Sequence, residues 1–194
     1  MPSILEMTAA GLAVLYLVLA IKQRRSCWSA AFLSSCLYVL VLFRARLYME
    51  AALNGFYAAM AVYGYRQWRP ARAGAATGSP TVQRWRWRRH GIALAAVLGL
   101  ALVNSVVLRR YTPAAWPFVD SAVTWASVFA TFLVARKVFE NWHWWFIIDA
   151  VTMFVSAARG LYTTALLFGL YLVMIVVGLR EWRRSLPPGP PLHA

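Results

Sequence analysis

Seven apolar runs divide the chain: Ile4–Ile21, Trp28–Phe43, Leu47–Tyr65, Gly91–Leu108, Pro117–Ala135, Trp142–Ala158 and Leu161–Leu179. A helix rises about 1.5 Å per residue, so runs of this length cross, or nearly cross, a hydrocarbon layer roughly 30 Å thick. The second and sixth are the shortest and leave least room for tilt. One soluble core cannot hide so much apolar surface: 61% of the 194 residues are hydrophobic and 13% charged, against roughly a quarter charged in soluble domains. The predicted fold is an all-α integral membrane protein of seven transmembrane helices.

Charge then gives direction. There are 20 Lys and Arg against 6 Asp and Glu. In a soluble chain that excess suggests nucleic acid. Here the basic residues lie between apolar runs, so they are topology signals and contacts for anionic headgroups, and no nucleic-acid partner is expected. The connections after runs one, three, five and seven hold 15 of the 20, and the N-terminus with the other connections holds 5. The positive-inside rule therefore predicts an external N-terminus and a cytoplasmic C-terminus. The first run has no basic residue before it and Lys22, Arg24 and Arg25 after it, the reverse of a cleavable leader, so it is expected to be a transmembrane helix. Cys27 and Cys36 share one apolar segment and are expected to be small core residues.

The chain repeats itself at an offset of 114. Leu47-Tyr48 falls on Leu161-Tyr162, Gly55 on Gly169, Tyr57 on Tyr171, Met60 on Met174, Gly64 on Gly178 and Trp68 on Trp182. Between 47 and 69, 12 of 23 pairs are identical. Upstream, Trp28 meets Trp142, Lys22 meets Arg136 and Glu6 meets Asp120 without a gap. Each unit has three helices, so an extra helix is needed to restore direction. The expected organisation is a first three-helix repeat at 4–69, a cytoplasmic loop at 70–90, a linker helix at 91–108, a second repeat at 117–183 and a disordered tail at 184–194. Such parallel repeats place a solute site near the midplane.

Polar residues inside the spans are the candidate site. Asn141, Trp145, Asp149, Thr152 and Ser156 recur at steps of four, four, three and four, which puts them on one helix face. A carboxylate within a span costs about 3 kcal/mol on insertion scales and is functional by default. Asp149 is the candidate counter-charge for a cationic solute, with Trp145 stacking on a flat ring. The alternative is an interhelical hydrogen bond to Ser or Thr. Trp142, Trp144 and Trp145 also fit an interfacial aromatic belt, and Trp142 has a repeat partner at Trp28. On the third run Glu50, Asn54 and Tyr57 lie within two turns of one another, and Asn54 breaks the repeat, since Phe168 takes its place. A satisfied interhelical amide is the alternative for Asn54. Glu6 and Asp120 are read as structural.

Other classes find little support. There is no Walker A loop and no HExxH, the three histidines are scattered, no lysine lies in the seventh run, and the carboxylates do not cluster. No enzyme, metal or cofactor is expected. A scaffold or lipid-binding role for the cluster Trp85-Arg86-Trp87-Arg88-Arg89 remains the alternative from another class.

The string Trp116-Pro117-Phe118, Asp120-Ser121, Arg136-Lys137 and Glu140-Asn141-Trp142-His143-Trp144-Trp145 resembles the second-half signature of PnuC-type vitamin transporters. Leu47-Tyr48, Tyr63-Gly64 and Trp68 agree in the first half, and the likeness runs from Glu6 to Trp182. The resemblance implies uptake of nicotinamide riboside, with relatives that take thiamine or riboflavin. It implies a SWEET-like 3+1+3 fold, a homotrimer in the bacterial inner membrane, and facilitated diffusion with trapping by a separate cytoplasmic kinase. Some family members carry Gln at the position of Asn54 and Asn at that of Asp149. Nicotinamide riboside and thiamine are both aromatic cations, so Asp149 suits either.

Overall fold

A computed structural model describes residues 4–46, 48–69, 81–111 and 116–187. Among them are seven α-helices: α1 Ile4–Ile21, α2 Cys27–Arg44, α3 Tyr48–Gln67, α4 Trp87–Tyr111, α5 Pro117–Ala135, α6 Asn141–Ala158 and α7 Tyr162–Arg184. Five of them, α1, α2, α4, α5 and α7, are long and apolar enough to cross a membrane. In the other two, charged and amide residues dilute the apolar run: Glu50, Asn54 and Arg66 in α3, and Asn141, His143 and Asp149 in α6. The glycine- and proline-bearing part of the expected loop, 70–80, and the proline-rich tail from 188 lie outside the described residues.

The fourth and the last helices extend well beyond the sequence expectation. The fourth helix begins at Trp87 rather than Gly91 and runs on to Tyr111. Three of the five residues of the basic-aromatic cluster, Trp87, Arg88 and Arg89, are therefore helical, because a helix continues through the polar interfacial layer after its apolar span ends. The last helix runs to Arg184 for the same reason.

Residue contacts divide the chain into two compact units. One holds the chain up to Gln83 together with Val134–Lys137 and the chain from Val177 onward. The other holds Arg84–Leu133 and Val138–Val176. In the first, α2 packs on both α1 and α3. Small residues bring these helices close: Ala9, Ala20, Ala51 and Ala61 are buried, as expected where van der Waals packing rather than the hydrophobic effect joins helices. Ser34 Oγ donates to the Ala9 carbonyl at 2.8 Å. Gly64 lies directly against the buried Trp28 indole, with no room for a Cβ. In the second unit, Asn104 Nδ2 on α4 donates to Ser121 Oγ on α5 at 3.2 Å. Phe129 on α5 meets Trp144 on α6 edge to face, 4.9 Å between centroids.

The helix ends repeat as the sequence does. α2 starts at Cys27 and α6 at Asn141, and each is 18 residues long. Left-handed backbone occurs at Gln23 (φ 52°) and Lys137 (φ 51°), and again at Arg46 (φ 60°) and Gly160 (φ 75°), each pair 114 apart. After α1, Gln23 N–H donates to Ala20 O and Arg24 N–H to Leu19 O. After α5, Lys137 N–H donates to Val134 O and Val138 N–H to Leu133 O. Both are Schellman turns, which satisfy carbonyls that the helix end orphans. α6 closes in the same way through Gly160 and Leu161.

Glycine adopts this conformation at no steric cost, whereas other residues pay for it. Arg46 is exposed, so Arg46→Gly should stabilise the protein by up to about 1 kcal/mol, and Gly160→Ala should destabilise it by a similar amount or more. Gly64→Ala, which drives a methyl into the Trp28 ring, should destabilise by about 1–3 kcal/mol. Thermal midpoints in detergent test all three.

Candidate functional site

Helix α6 is amphipathic in the inverted sense. Its buried side carries Asn141, Trp142, Ile148, Asp149, Val155 and Ser156. Its exposed side carries Phe146, Ile147 and Phe154. In a bilayer that places large apolar side chains toward lipid and a carboxylate toward protein, the arrangement in which an intramembrane acid is tolerated.

Asp149 is only 6% exposed. Among the described residues, no hydrogen bond or ion pair joins it to another group. The interhelical bond to Ser or Thr weighed from the sequence is not formed with them. Thr152, one turn on, turns its hydroxyl back to the Ile148 carbonyl at 2.8 Å. Trp145, one turn before, is half-buried. Trp145, Asp149 and Thr152 thus line one stripe with an acid at its centre and an aromatic beside it.

Asn141 and Trp142 sit at the first turn of the helix. Asn141 is wholly buried, and its Nδ2 donates to Val138 O at 2.6 Å while its Oδ1 is buried without a partner among the described residues. Trp142 is buried too, as is its repeat counterpart Trp28. Glu50, Asn54 and Tyr57 belong to α3, in the first unit, whereas the α6 residues belong to the second. Glu50 is exposed, and Asn54 and Tyr57 are half-buried. Asn54 Nδ2 donates to the Glu50 carbonyl at 2.9 Å, within its own helix. Its amide is thus held locally rather than across a helix interface, as the sequence alternative supposed. Asp120, read as structural, pairs with Arg159 at 3.5 Å.

A polar-aromatic cluster that the sequence reading did not assemble joins the start of α4 to the start of α6. His90 is buried. Its Nδ1 accepts from Trp144 Nε1 at 3.3 Å, and its Nε2 lies 3.8 Å from Glu140 Oε2. An accepting Nδ1 leaves the ring proton on Nε2, facing the carboxylate. Glu140 also accepts the Trp85 backbone N–H at 3.1 Å, and the Trp85 ring packs against Phe129 and Phe132. The underside of the 85–89 segment is thereby held, and Trp87, 88% exposed, faces outward. The signal was available in part: His90 closes the basic cluster and Glu140 opens the α6 string, but 50 residues separate them.

Apolar helices that turn bulky side chains outward and a buried carboxylate inward suit a multi-pass membrane protein, and the family match makes it a transporter. The chain belongs to the nicotinamide mononucleotide transporter family, whose model matches residues 3–184. It is 28% identical over 172 residues to the riboflavin/roseoflavin transporter RibM of Streptomyces davaonensis, covering 86% of this chain and 79% of that one. It is 27% identical over 203 residues to the nicotinamide riboside transporter PnuC of Escherichia coli, covering 92% and 83%. The crystal structure of a vitamin B3 transporter PnuC has the same fold: the TM-score is 0.73 at 23% identity, over 93% of this chain and 81% of that one.

Replacing Glu140 with Ala removes the acceptor of a partly buried backbone N–H. The variant should lose about 1–3 kcal/mol of stability, read as a lower thermal midpoint in detergent.

Proposed function

We propose that the protein carries nicotinamide riboside across the bacterial inner membrane by facilitated diffusion, with a separate cytoplasmic kinase trapping the solute as its phosphate. The observation that carries this reading is Asp149: a buried carboxylate without a partner among the described residues on a stripe with the aromatic Trp145. A cationic pyridinium ring matches both, by ion pairing and by stacking. Asn141, Trp142, Thr152, Asn54, Tyr57 and Glu50 complete the proposed solute-binding set. We read the chain as seven spans in a 3+1+3 arrangement, with the N-terminus outside and the C-terminus in the cytoplasm, supported by the 15 basic residues on one set of connections. A homotrimer is part of the same reading.

Thiamine, also an aromatic cation, fits the same residues. Riboflavin is favoured by the likeness to RibM, but its flavin ring is uncharged, and a neutral solute leaves Asp149 without a counter-charge. Purified protein in liposomes should take up labelled nicotinamide riboside down its gradient, without ATP and without an imposed pH gradient. Asp149→Asn should fold normally and bind it more weakly by about 1–3 kcal/mol, the scale of a charge-assisted hydrogen bond. Uptake of riboflavin alone, unaffected by Asp149→Asn, would replace the cation reading with a flavin one.

A further inference from the structure

The site on α6 leaves unused the most heavily buried aromatic group of the first unit. Trp28, Trp68 and Trp182 are each at most 4% exposed. Trp68 meets Trp28 edge to face at 5.5 Å and Trp182 at 6.1 Å. Trp68 closes the end of α3, and Trp182 lies in the last turn of α7, 114 positions later. Their indole N–H groups do the same thing at matched places. Trp68 donates to the Ala135 carbonyl at the end of α5, 3.1 Å away, and Trp182 donates to the Ala20 carbonyl at the end of α1, 3.0 Å away. Each copy's last helix therefore holds the last turn of the other copy's first helix. Around this pair, Gln23 Nε2 donates to Ser185 Oγ at 2.9 Å. The Lys137 ammonium lies 4.7 Å over the Trp68 ring, and burial lowers its pKa from the usual lysine value, opposed by the Cys27 thiol.

These contacts tie together the ends of α1, α3, α5 and α7, after which 15 of the 20 basic residues lie. A carrier must open each end in turn, so whatever closes this end has to break in every cycle. We propose that Trp68 and Trp182 form the gate clasp at the basic end of the carrier, a pair of indole-to-carbonyl bonds that opens to release solute on that side. The third ring explains why the clasp is reversible. Trp28 Nε1 is buried with no hydrogen-bond partner among the described residues. Leaving such a donor unsatisfied costs about as much as one or two ordinary hydrogen bonds contribute. Closing gains the two clasp bonds and strands the Trp28 donor, while opening to water does the reverse. The opposing terms are comparable, the condition for two states of similar population.

This inference rests on the reading of the protein as a carrier, but its first test needs no solute. In a Cys27→Ala, Cys36→Ala background, Ala135→Cys places a thiol under the clasp. Its rate of modification by a water-soluble methanethiosulfonate reports the open fraction. Trp68→Phe and Trp182→Phe keep the ring and remove the donor. Each should raise that rate about fivefold, the equivalent of one ordinary hydrogen bond. Unchanged rates in both folded variants would overturn the clasp. The second test uses Gln23→Cys with Ser185→Cys in the same cysteine-free background, joined by a short thiol cross-linker. Cross-linked protein should bind nicotinamide riboside in titration calorimetry but not exchange it across liposomes, and reversal of the link should restore exchange. Full exchange in the linked state would also overturn the proposal. Absence of solute binding in the unlinked protein would count against the substrate assignment, and the thiol labelling would still decide the clasp.

Discussion

A helix that ends at the edge of a bilayer leaves its last carbonyls with neither a helical partner nor dependable water, and the rest of this structure follows from how they are satisfied. Schellman turns close α1, α5 and α6. They fix the direction in which the chain leaves each helix, and so the pairing of α1 with α2 and of α5 with α6. At Ala135 and Ala20, indole N–H groups from Trp68 and Trp182 supply donors from a different helix. Local backbone chemistry and long-range packing are therefore one system at this end of the molecule. The short connections, the recurrence of left-handed residues and the burial of three tryptophans serve the same need.

The bilayer also inverts the usual relation between burial and polarity. In α6 the phenylalanines face out while the asparagine, aspartate and serine face in. Phe154 and Asp149 would exchange places in a soluble helix. The cost of desolvating the carboxylate is accepted at one position and at no matching one, since Ser35 stands 114 residues before Asp149. A structure that repeats its helix ends so closely thus departs from symmetry where charge meets the interior.

Much of this was legible from the order of residues. Apolar runs near 20 residues long mark helices whatever surrounds them, and six of the seven starts fall within one residue of where the runs begin. The start of α4 was missed because Trp87, Arg88 and Arg89 are polar or interfacial, and hydropathy cannot distinguish a helix passing through headgroups from a loop. The left-handed turns at Gln23 and Lys137 were hidden because neither residue is glycine; only their common offset betrays them. The three-four spacing identified the buried stripe on α6, since a helix face depends on nothing beyond the chain itself. The cluster of His90, Glu140 and Trp144 could not be read in this way: it depends on the packing of α4 against α6, which no periodicity encodes. The repeat singled out Trp68 and Trp182 as a pair, but not the carbonyls they reach.

On the proposed reading, in which Asp149 is the counter-charge of a monovalent cation, the transport cycle has an electrical consequence. A site whose one carboxylate is ionised is neutral when loaded and charged when empty. The loaded carrier of that reading reorients with little regard to voltage, and the empty carrier bears the field on its return. Over such a cycle one positive charge enters the cell. An interior-negative potential of 100 mV is worth about 2.3 kcal/mol per charge, enough to concentrate such a solute roughly fiftyfold without any coupling ion. A passive carrier for a cation is in this sense an accumulator run by the membrane potential.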